Sequence, residues 1–135
     1  MPEVDILLVE DAAPDVFLVR EALKQAGVTL NLRVLGDGEQ ALDFIDHLDK
    51  DDTIACPRLV LLDLNLPKRT GDQILAHMRR SERCSGIPVI IVTSSDLSKD
   101  KEYTARLGAN GYFRKPSRLD EFMKLGILVR RMLEA

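Results

Sequence analysis

Acidic residues stand at the ends of two apolar runs that have the length of buried strands. Asp63 directly follows the run Leu-Val-Leu-Leu at 59–62, and Glu10 and Asp11 directly follow the run Ile-Leu-Leu-Val at 6–9. Because open α/β sheets place their sites at the carboxyl ends of strands, we expect these carboxylates to meet. Their oxygens are hard ligands of the kind that Mg²⁺ prefers.

A hydroxyl and a cation follow two later strand-like runs. Thr93 ends the run Val-Ile-Ile-Val-Thr, and Lys115 stands after Gly-Tyr-Phe-Arg and before Pro116. An attacking carboxylate and a phosphoryl group are both negatively charged, so a divalent cation and a lysine are needed to neutralise their repulsion. An acid pair, a lone acid, a hydroxyl and a lysine together predict a magnesium-dependent phosphoryl acceptor.

The acids have separate expected roles in a Mg²⁺ site. We expect Asp11 and Asp63 to bind the ion directly, the backbone carbonyl of Asn65 to supply a third ligand, and Glu10 to act through a water. Clustering acids this closely is costly without a cation. Taken alone, Glu10-Asp11 also fits a helix N-cap, and Asp63 a turn-forming acid.

Lys115 and Thr93 are the non-acidic members of the predicted site. Lys115 is expected to pair with Asp63 when the site is empty and with a phosphate oxygen when it is loaded. Thr93 is expected to offer its hydroxyl to a phosphoryl oxygen. Taken alone, Lys115 also fits a surface lysine, and Thr93 a β-branched strand residue. The Lys115–Pro116 bond is a candidate for a cis peptide bond.

Composition limits the class of protein. The chain has 135 residues, 45% hydrophobic and 30% charged, as expected for one globular domain. Its net charge of -3 gives no electrostatic reason to expect nucleic acid or an anionic membrane as partner. The sequence shows neither a membrane span nor a signal peptide, so a cytoplasmic location is expected. Cys56 and Cys84 are expected to be free thiols, without catalytic or metal roles.

Short apolar runs alternate with amphipathic stretches of helical length, which predicts βαβ crossovers and a parallel sheet. The expected fold is α/β, a doubly wound five-stranded parallel sheet of order 2-1-3-4-5 flanked by five helices. The charge-rich stretch 46–57 lacks an apolar period and predicts an enlarged surface loop. The expected strands are 4–9, 30–35, 58–62, 88–93 and 111–114, and the expected helices are 13–26, 39–48, 72–80, 97–107 and 119–133.

The last predicted helix carries apolar residues on more than one side. A second apolar stripe on a surface helix marks a candidate interface, here for a homodimer, and the alternative is scattered surface residues. The stripe expected on the side opposite the core consists of Leu125, Leu128 and Met132. The residues assigned to the core face are Leu119, Phe122, Met123, Gly126, Val129 and Leu133.

The chain resembles the receiver domain of two-component response regulators over essentially its full length. The motifs that carry the resemblance are Glu10-Asp11, Asp63-x-x-x-Pro67, Gly71, Thr93 and Gly111-Tyr112-Phe-Arg-Lys115-Pro116. The resemblance implies a flavodoxin-like receiver fold and a phospho-accepting Asp63. It also implies metal-binding roles for Asp11 and Glu10, a switch role for Thr93 and Tyr112, and the role of the family's invariant lysine for Lys115.

The resemblance further implies a partner, a sensor histidine kinase that donates its phosphoryl group. Within the family, the chain looks like the stand-alone regulators paired with bacterial phytochromes. We therefore expect one receiver domain over 1–135 without an output domain, signalling by protein contact. Homodimers through the last helix are implied as well. Ser94 is a departure, because many receivers have Ala or Gly after the switch hydroxyl, and it leaves the phosphate lifetime open.

Other functions fit the residues less well. A haloacid-dehalogenase-like phosphatase would need a second aspartate two residues after Asp63, where this chain has Asn65. A flavin-binding protein of the same fold would need a Ser/Thr-rich phosphate loop after the first strand. A receiver-like binding module that acts without phosphorylation stays an alternative. His47 and His77 lack metal-ligand spacing and are expected on helix surfaces.

Overall fold

A single parallel sheet forms the centre of the structure, a computed structural model that describes residues 4–134. Numbered along the chain, its five strands lie in the order 2-1-3-4-5, and all four neighbouring pairs are parallel. This confirms the predicted fold class and order. The strands are β1 (Ile6–Val9), β2 (Leu32–Leu35), β3 (Leu59–Leu62), β4 (Val89–Thr93) and β5 (Gly111–Arg114).

Helices connect the strands, and none within residues 4–134 is long and apolar enough to cross a membrane. The last predicted helix is interrupted at Met123, which gives six helical segments in the described chain where we expected five. They are α1 (Ala13–Gln25), α2 (Gly38–Lys50), α3 (Gly71–Arg80), α4 (Ser98–Arg106), α5 (Leu119–Phe122) and α6 (Lys124–Glu134).

The sheet is buried on both faces, as the continuous apolar runs predict. Alternate strand residues enter two separate cores, so that Leu7 and Val9 pack with α2 and α3 while Ile6 and Leu8 pack with α1, α5 and α6. All residues of β1, β3 and β4 are buried. The site at the carboxyl edge therefore rests on rigid elements, since packed interiors leave side chains little freedom.

The expected surface loop at 46–57 is wrong in its first half, because α2 continues to Lys50. The helix ends where Arg83 binds its carboxyl end: guanidinium nitrogens donate to the carbonyls of Leu48 and Asp51, each at 2.8 Å, and of Ile54 at 2.7 Å. A cation at this place satisfies carbonyls that the helix leaves without partners. Arg83, which lies in the connection between α3 and β4, thus fixes the irregular segment that follows α2.

The predicted second stripe on the last helix is not an exposed surface. Leu125 is fully buried, and Leu128 and Met132 are half-buried against the same core. A Cβ on Gly126 would lie 2.0 Å from the carbonyl oxygen of Ala22, so α6 lies unusually close to α1. Leu125 stands one helical turn before the buried Val129 and therefore lies on the core face of α6, not opposite it.

The ends of that helix also differ from the expectation. Phe122 and Val129 are buried as predicted, whereas Leu119 is 61% exposed. Leu119 stands in the first turn of the short α5, beyond the reach of the core. The predicted cis peptide bond between Lys115 and Pro116 is wrong as well. That bond is trans, and no peptide bond within residues 4–134 is cis.

Candidate functional site

The predicted acids meet at the carboxyl edge of the sheet. β1 and β3 are neighbours with Val9 opposite Leu62, so the residues that follow them, Glu10 and Asp63, leave the sheet side by side. Carboxylate oxygens of Glu10, Asp11 and Asp63 all lie within 4.8 Å of one another. Glu10 and Asp63 are buried, and Asp11 is exposed. The arrangement is a pocket of oxygen ligands that opens to solvent on one side.

Lys115 is the cation of this cluster. Its Nζ lies 2.6 Å from Oε1 of Glu10, 2.8 Å from Oδ2 of Asp15 and 3.0 Å from Oδ2 of Asp63. An ammonium group has three protons to donate, and these contacts use all of them. The backbone N–H of Lys115 donates to the carbonyl of Thr93 at 2.7 Å, which extends the pairing of β5 and fixes where the side chain begins.

Burial and charge oppose each other at this cluster. Burial lowers the pKa of Lys115, but hydrogen bonds to Asp15, Glu10 and Asp63 outweigh it and raise that pKa above its ordinary value. Burial raises the pKa of Glu10, against the hydrogen bond from Lys115. Lys115 therefore stays positively charged. The carboxyl groups around it outnumber this single cation. A divalent cation with oxygen ligands fits this excess, and Glu10, Asp11 and Asp63 could hold it.

The loop after β3 holds Asp63 in place. The backbone N–H of Asn65 donates to Oδ1 of Asp63 at 3.2 Å, and Gly71 N–H donates to the carbonyl of Leu64 at 3.0 Å. A Cβ on Gly71 would lie 2.1 Å from the carbonyl oxygen of Asp63, so only glycine allows this approach of α3. Asn65 is thus beside Asp63, and its carbonyl as a metal ligand stays a prediction.

Thr93 has a buried hydroxyl at the end of β4. The residue is fully buried at the end of β4, and within residues 4–134 its Oγ1 has no hydrogen-bond partner. Buried polar groups in proteins are nearly always hydrogen-bonded, and exceptions require an explanation. A polar group bound between the strand ends would satisfy this hydroxyl.

Tyr112 is linked to the connection that follows Thr93. Its hydroxyl donates to the carbonyl of Ser95 at 2.7 Å, and burial raises the pKa of that hydroxyl. The hydroxyl of Ser95 in turn donates to Asp100 in the first turn of α4, at 2.6 Å. Tyr112, the predicted switch aromatic, is therefore half-buried and hydrogen-bonded in this structure. Ser94, the departure from the family pattern, is exposed.

Asp15 is the site residue that sequence reasoning missed. It stands in the first turn of α1, five positions after Glu10, and reaches the ammonium group of Lys115. The helix dipole already explains an acid in the first turn of a helix. That position therefore gives no reason to expect that Asp15 contacts a distant lysine. The available signal was that α1 begins at the same sheet edge as the acid pair.

Residues predicted to lie outside the site do lie outside it. Cys56 and Cys84 are free thiols. His47 is exposed on α2, and Nε2 of His77 on α3 lies 2.7 Å from Oδ1 of Asp46. Neither histidine belongs to the acidic cluster found in the described chain.

Known proteins share this sequence pattern. The family model of the response regulator receiver domain matches residues 6–125. Response regulator Rcp1 of Synechocystis sp. is 36% identical over 120 residues, which cover 89% of this chain and 82% of Rcp1. The probable methanogenesis regulatory protein FilR2 of Methanothrix harundinacea is 36% identical over 119 residues, which cover 88% of this chain and 76% of FilR2.

Solved structures share the fold. The crystal structure of the phosphorylated cyanobacterial phytochrome response regulator RcpA matches with a TM-score of 0.85 and 28% identity, over 98% of this chain and 95% of RcpA. The crystal structure of the Mn²⁺-bound form of Rcp1 matches with a TM-score of 0.82 and 35% identity, over 96% of this chain and 92% of that one. The chain belongs to the response regulator receiver domain family.

Proposed function

We propose that this response regulator accepts a phosphoryl group from a histidine kinase on Asp63, in a Mg²⁺-dependent reaction, and signals by protein contact. The observation that carries the proposal is the buried Thr93 hydroxyl, which has no partner within residues 4–134 and ends the strand between those of Asp63 and Lys115. A nucleophile, a cation and an unsatisfied donor at one sheet edge suit a phosphoryl group.

In the proposed reaction an oxygen of Asp63 attacks phosphorus in line. The bond from phosphorus to the histidine nitrogen of the donor breaks, and the electron pair leaves with that nitrogen. Glu10, Asp11 and Asp63 would hold Mg²⁺, with the carbonyl of Asn65 as a further proposed ligand, and the ion would supply charge neutralisation.

Lys115 supplies the second positive charge in this scheme. Its ammonium group already bonds Oδ2 of Asp63, so it lies next to the position that the phosphoryl oxygens would take. The product is an acyl phosphate, which hydrolyses in the same site and ends the signal. The chain would thus catalyse only its own phosphorylation and dephosphorylation.

A switch follows from the contacts of the loaded site. The phosphoryl group would draw the hydroxyl of Thr93 toward it. The movement would reach Tyr112 because the hydroxyl of Tyr112 donates to the carbonyl of Ser95, two residues after Thr93. Hydrogen bonds to charged groups contribute about 1.5–3 kcal/mol each. Shifting a two-state equilibrium from about 1:99 to 99:1 needs about 5.5 kcal/mol. Two or three new contacts would therefore be sufficient.

The proposed donor is a phytochrome-type histidine kinase. Support comes from RcpA, which is described as a phytochrome response regulator and matches nearly the whole chain. A cytoplasmic location stays a prediction. A homodimer stays one too, and its predicted contact residue Leu125 is buried, so any such contact would use other residues.

Transfer from a labelled kinase tests the partner. A phytochrome kinase phosphorylated with γ-³²P-ATP is mixed with the wild-type chain and with Asp63→Asn. Label should move to the wild-type chain within minutes and stay on the kinase with Asp63→Asn. A kinase that binds the chain but transfers no label would favour the alternative, a binding module that acts without phosphorylation.

A further inference from the structure

Asp15 makes a short contact to the ammonium group of Lys115 that the proposed chemistry does not yet use. Its Oδ2 lies 2.8 Å from Nζ, closer than Oδ2 of Asp63 at 3.0 Å. The Asp15 side chain is 28% exposed and that of Lys115 is 8% exposed, so the pair is largely shielded from water. Such a charge-assisted contact fixes geometry more strongly than a surface ion pair does.

The three acceptors of Lys115 differ in what phosphorylation does to them. Asp63 loses its negative charge when one of its oxygens becomes an acyl phosphate, whereas Glu10 and Asp15 do not react. Phosphoryl oxygens then carry the charge at the place where Asp63 carried it. The proton of Lys115 that pointed to Asp63 is therefore the one free to follow the phosphoryl group. The other two remain with Glu10 and Asp15.

We propose that Asp15 is a positioning residue for phosphoryl transfer, an inference that rests on the proposed function. With Glu10 it forms a two-point anchor that directs the third N–H of Lys115 toward Asp63 and the incoming phosphoryl group. Glu10 alone leaves the ammonium group free to turn about one hydrogen bond. Adding Asp15, which comes from α1 on the solvent side of the cluster, removes that freedom.

A simpler role for Asp15 is to stabilise the amino end of α1 through the helix dipole. Asp72 offers a matched control, because it is likewise the acid in the first turn of its helix, α3, and takes no part in the Lys115 contacts. If the helix dipole were the whole role, Asp15→Asn and Asp72→Asn would act alike on stability, and neither would change phosphorylation.

The first test compares rates of phosphoryl gain from acetyl phosphate with Mg²⁺, followed by intact mass. Asp15→Asn keeps the size of the side chain and removes its charge, and we expect it to slow phosphoryl gain about tenfold, the effect of one charged hydrogen bond. Asp15→Glu restores the charge and should recover most of the rate. Asp72→Asn should match the wild type, and thermal melts establish that each variant is folded.

A second arm asks whether Asp15 acts through Lys115. In a Lys115→Met background, Asp15→Asn should slow phosphoryl gain by less than about twofold, because the group that it positions is gone. An equal effect in both backgrounds would overturn the inference, as would an Asp15→Asn rate equal to that of the wild type. If the wild type gains no phosphoryl group from acetyl phosphate or a phosphorylated kinase, the proposed function fails, and the inference fails with it.

Discussion

Lys115 and Asp63 form an ion pair, with Nζ and Oδ2 3.0 Å apart, although the strands that precede them are not neighbours. β4 lies between β3 and β5, and it delivers Thr93 to the same edge. The pair therefore spans the end of the strand that carries the unsatisfied hydroxyl.

Replacing Lys115 with Met should destabilise the domain. Lys115, Glu10 and Asp63 have side chains only 8%, 2% and 7% exposed, so removal of the cation leaves buried carboxylates unpaired. We expect a loss of about 3–5 kcal/mol in urea unfolding without Mg²⁺, with part of it restored by the ion. Lys124→Met is the control, since that side chain is 63% exposed and should cost less than about 1 kcal/mol. Unchanged stability in Lys115→Met would contradict the charge assignment.

Thr93→Val should stabilise the unphosphorylated domain. The substitution keeps the shape of the side chain and removes a buried hydroxyl that has no partner within residues 4–134. Because an unsatisfied buried group costs about 1–3 kcal/mol, a gain of about 1 kcal/mol in the free energy of unfolding is expected. The same variant should lose the chemical-shift changes that phosphorylation produces at Tyr112. A less stable Thr93→Val would mean that the hydroxyl has a partner in the resting state.

Gly71→Ala should disturb the loop that follows Asp63. The added methyl group would lie 2.1 Å from the carbonyl oxygen of Asp63, which is backbone and has little freedom to move. We expect a loss of about 3 kcal/mol in unfolding free energy and slower phosphoryl gain. Gly86→Ala is the matched control, because a Cβ there meets open space and should change stability by less than about 1 kcal/mol. Equal effects of the two substitutions would refute the close approach.

Stability should depend on pH through Asp49. Its carboxylate accepts hydrogen bonds from the hydroxyl of Ser81 at 2.6 Å and the backbone N–H of Arg83 at 3.0 Å, and these lower the pKa of Asp49. A carboxylate with a lowered folded-state pKa stabilises the fold above its ordinary value of 3.8, and that stabilisation is lost as pH falls through the folded-state value.

The measurement is the melting temperature of wild type and Asp49→Asn across pH. The variant should melt a few degrees lower at neutral pH, and the difference should shrink as the pH falls below 3.8, the ordinary pKa of the group, and disappear below the lower folded-state pKa. Asp52→Asn, an exposed neighbour, controls for the loss of one surface charge. A difference that persists at low pH would mean that the hydrogen bonds do not depend on the carboxylate charge.

The sheet and most of the site were predictable from sequence because parallel strands buried on both faces are continuous apolar runs. The runs of β3 and β4 end at polar residues and Lys115 directly follows β5, so the sequence alone predicts Asp63, Thr93 and Lys115 at one edge. Parallel order alone then brings their side chains together. The family resemblance added the roles of single residues.

Two of the misses depend on a contact that is distant in sequence. The Asp15–Lys115 contact joins residues 100 positions apart, and the first-turn position of Asp15 already has an ordinary explanation in the helix dipole. The carboxyl end of α2 is satisfied by Arg83, from the connection after α3. Leu125 was misplaced for a different reason, because it stands four residues before the buried Val129 on α6, and positions i and i+4 share one face of a helix.

Intact mass shows directly whether Asp63 accepts a phosphoryl group. Wild type and Asp63→Asn are incubated with acetyl phosphate, with and without Mg²⁺. We predict one phosphoryl increment on the wild type, only with Mg²⁺, and none on Asp63→Asn. An increment of the same size on Asp63→Asn, or one on the wild type that does not need Mg²⁺, would contradict the account.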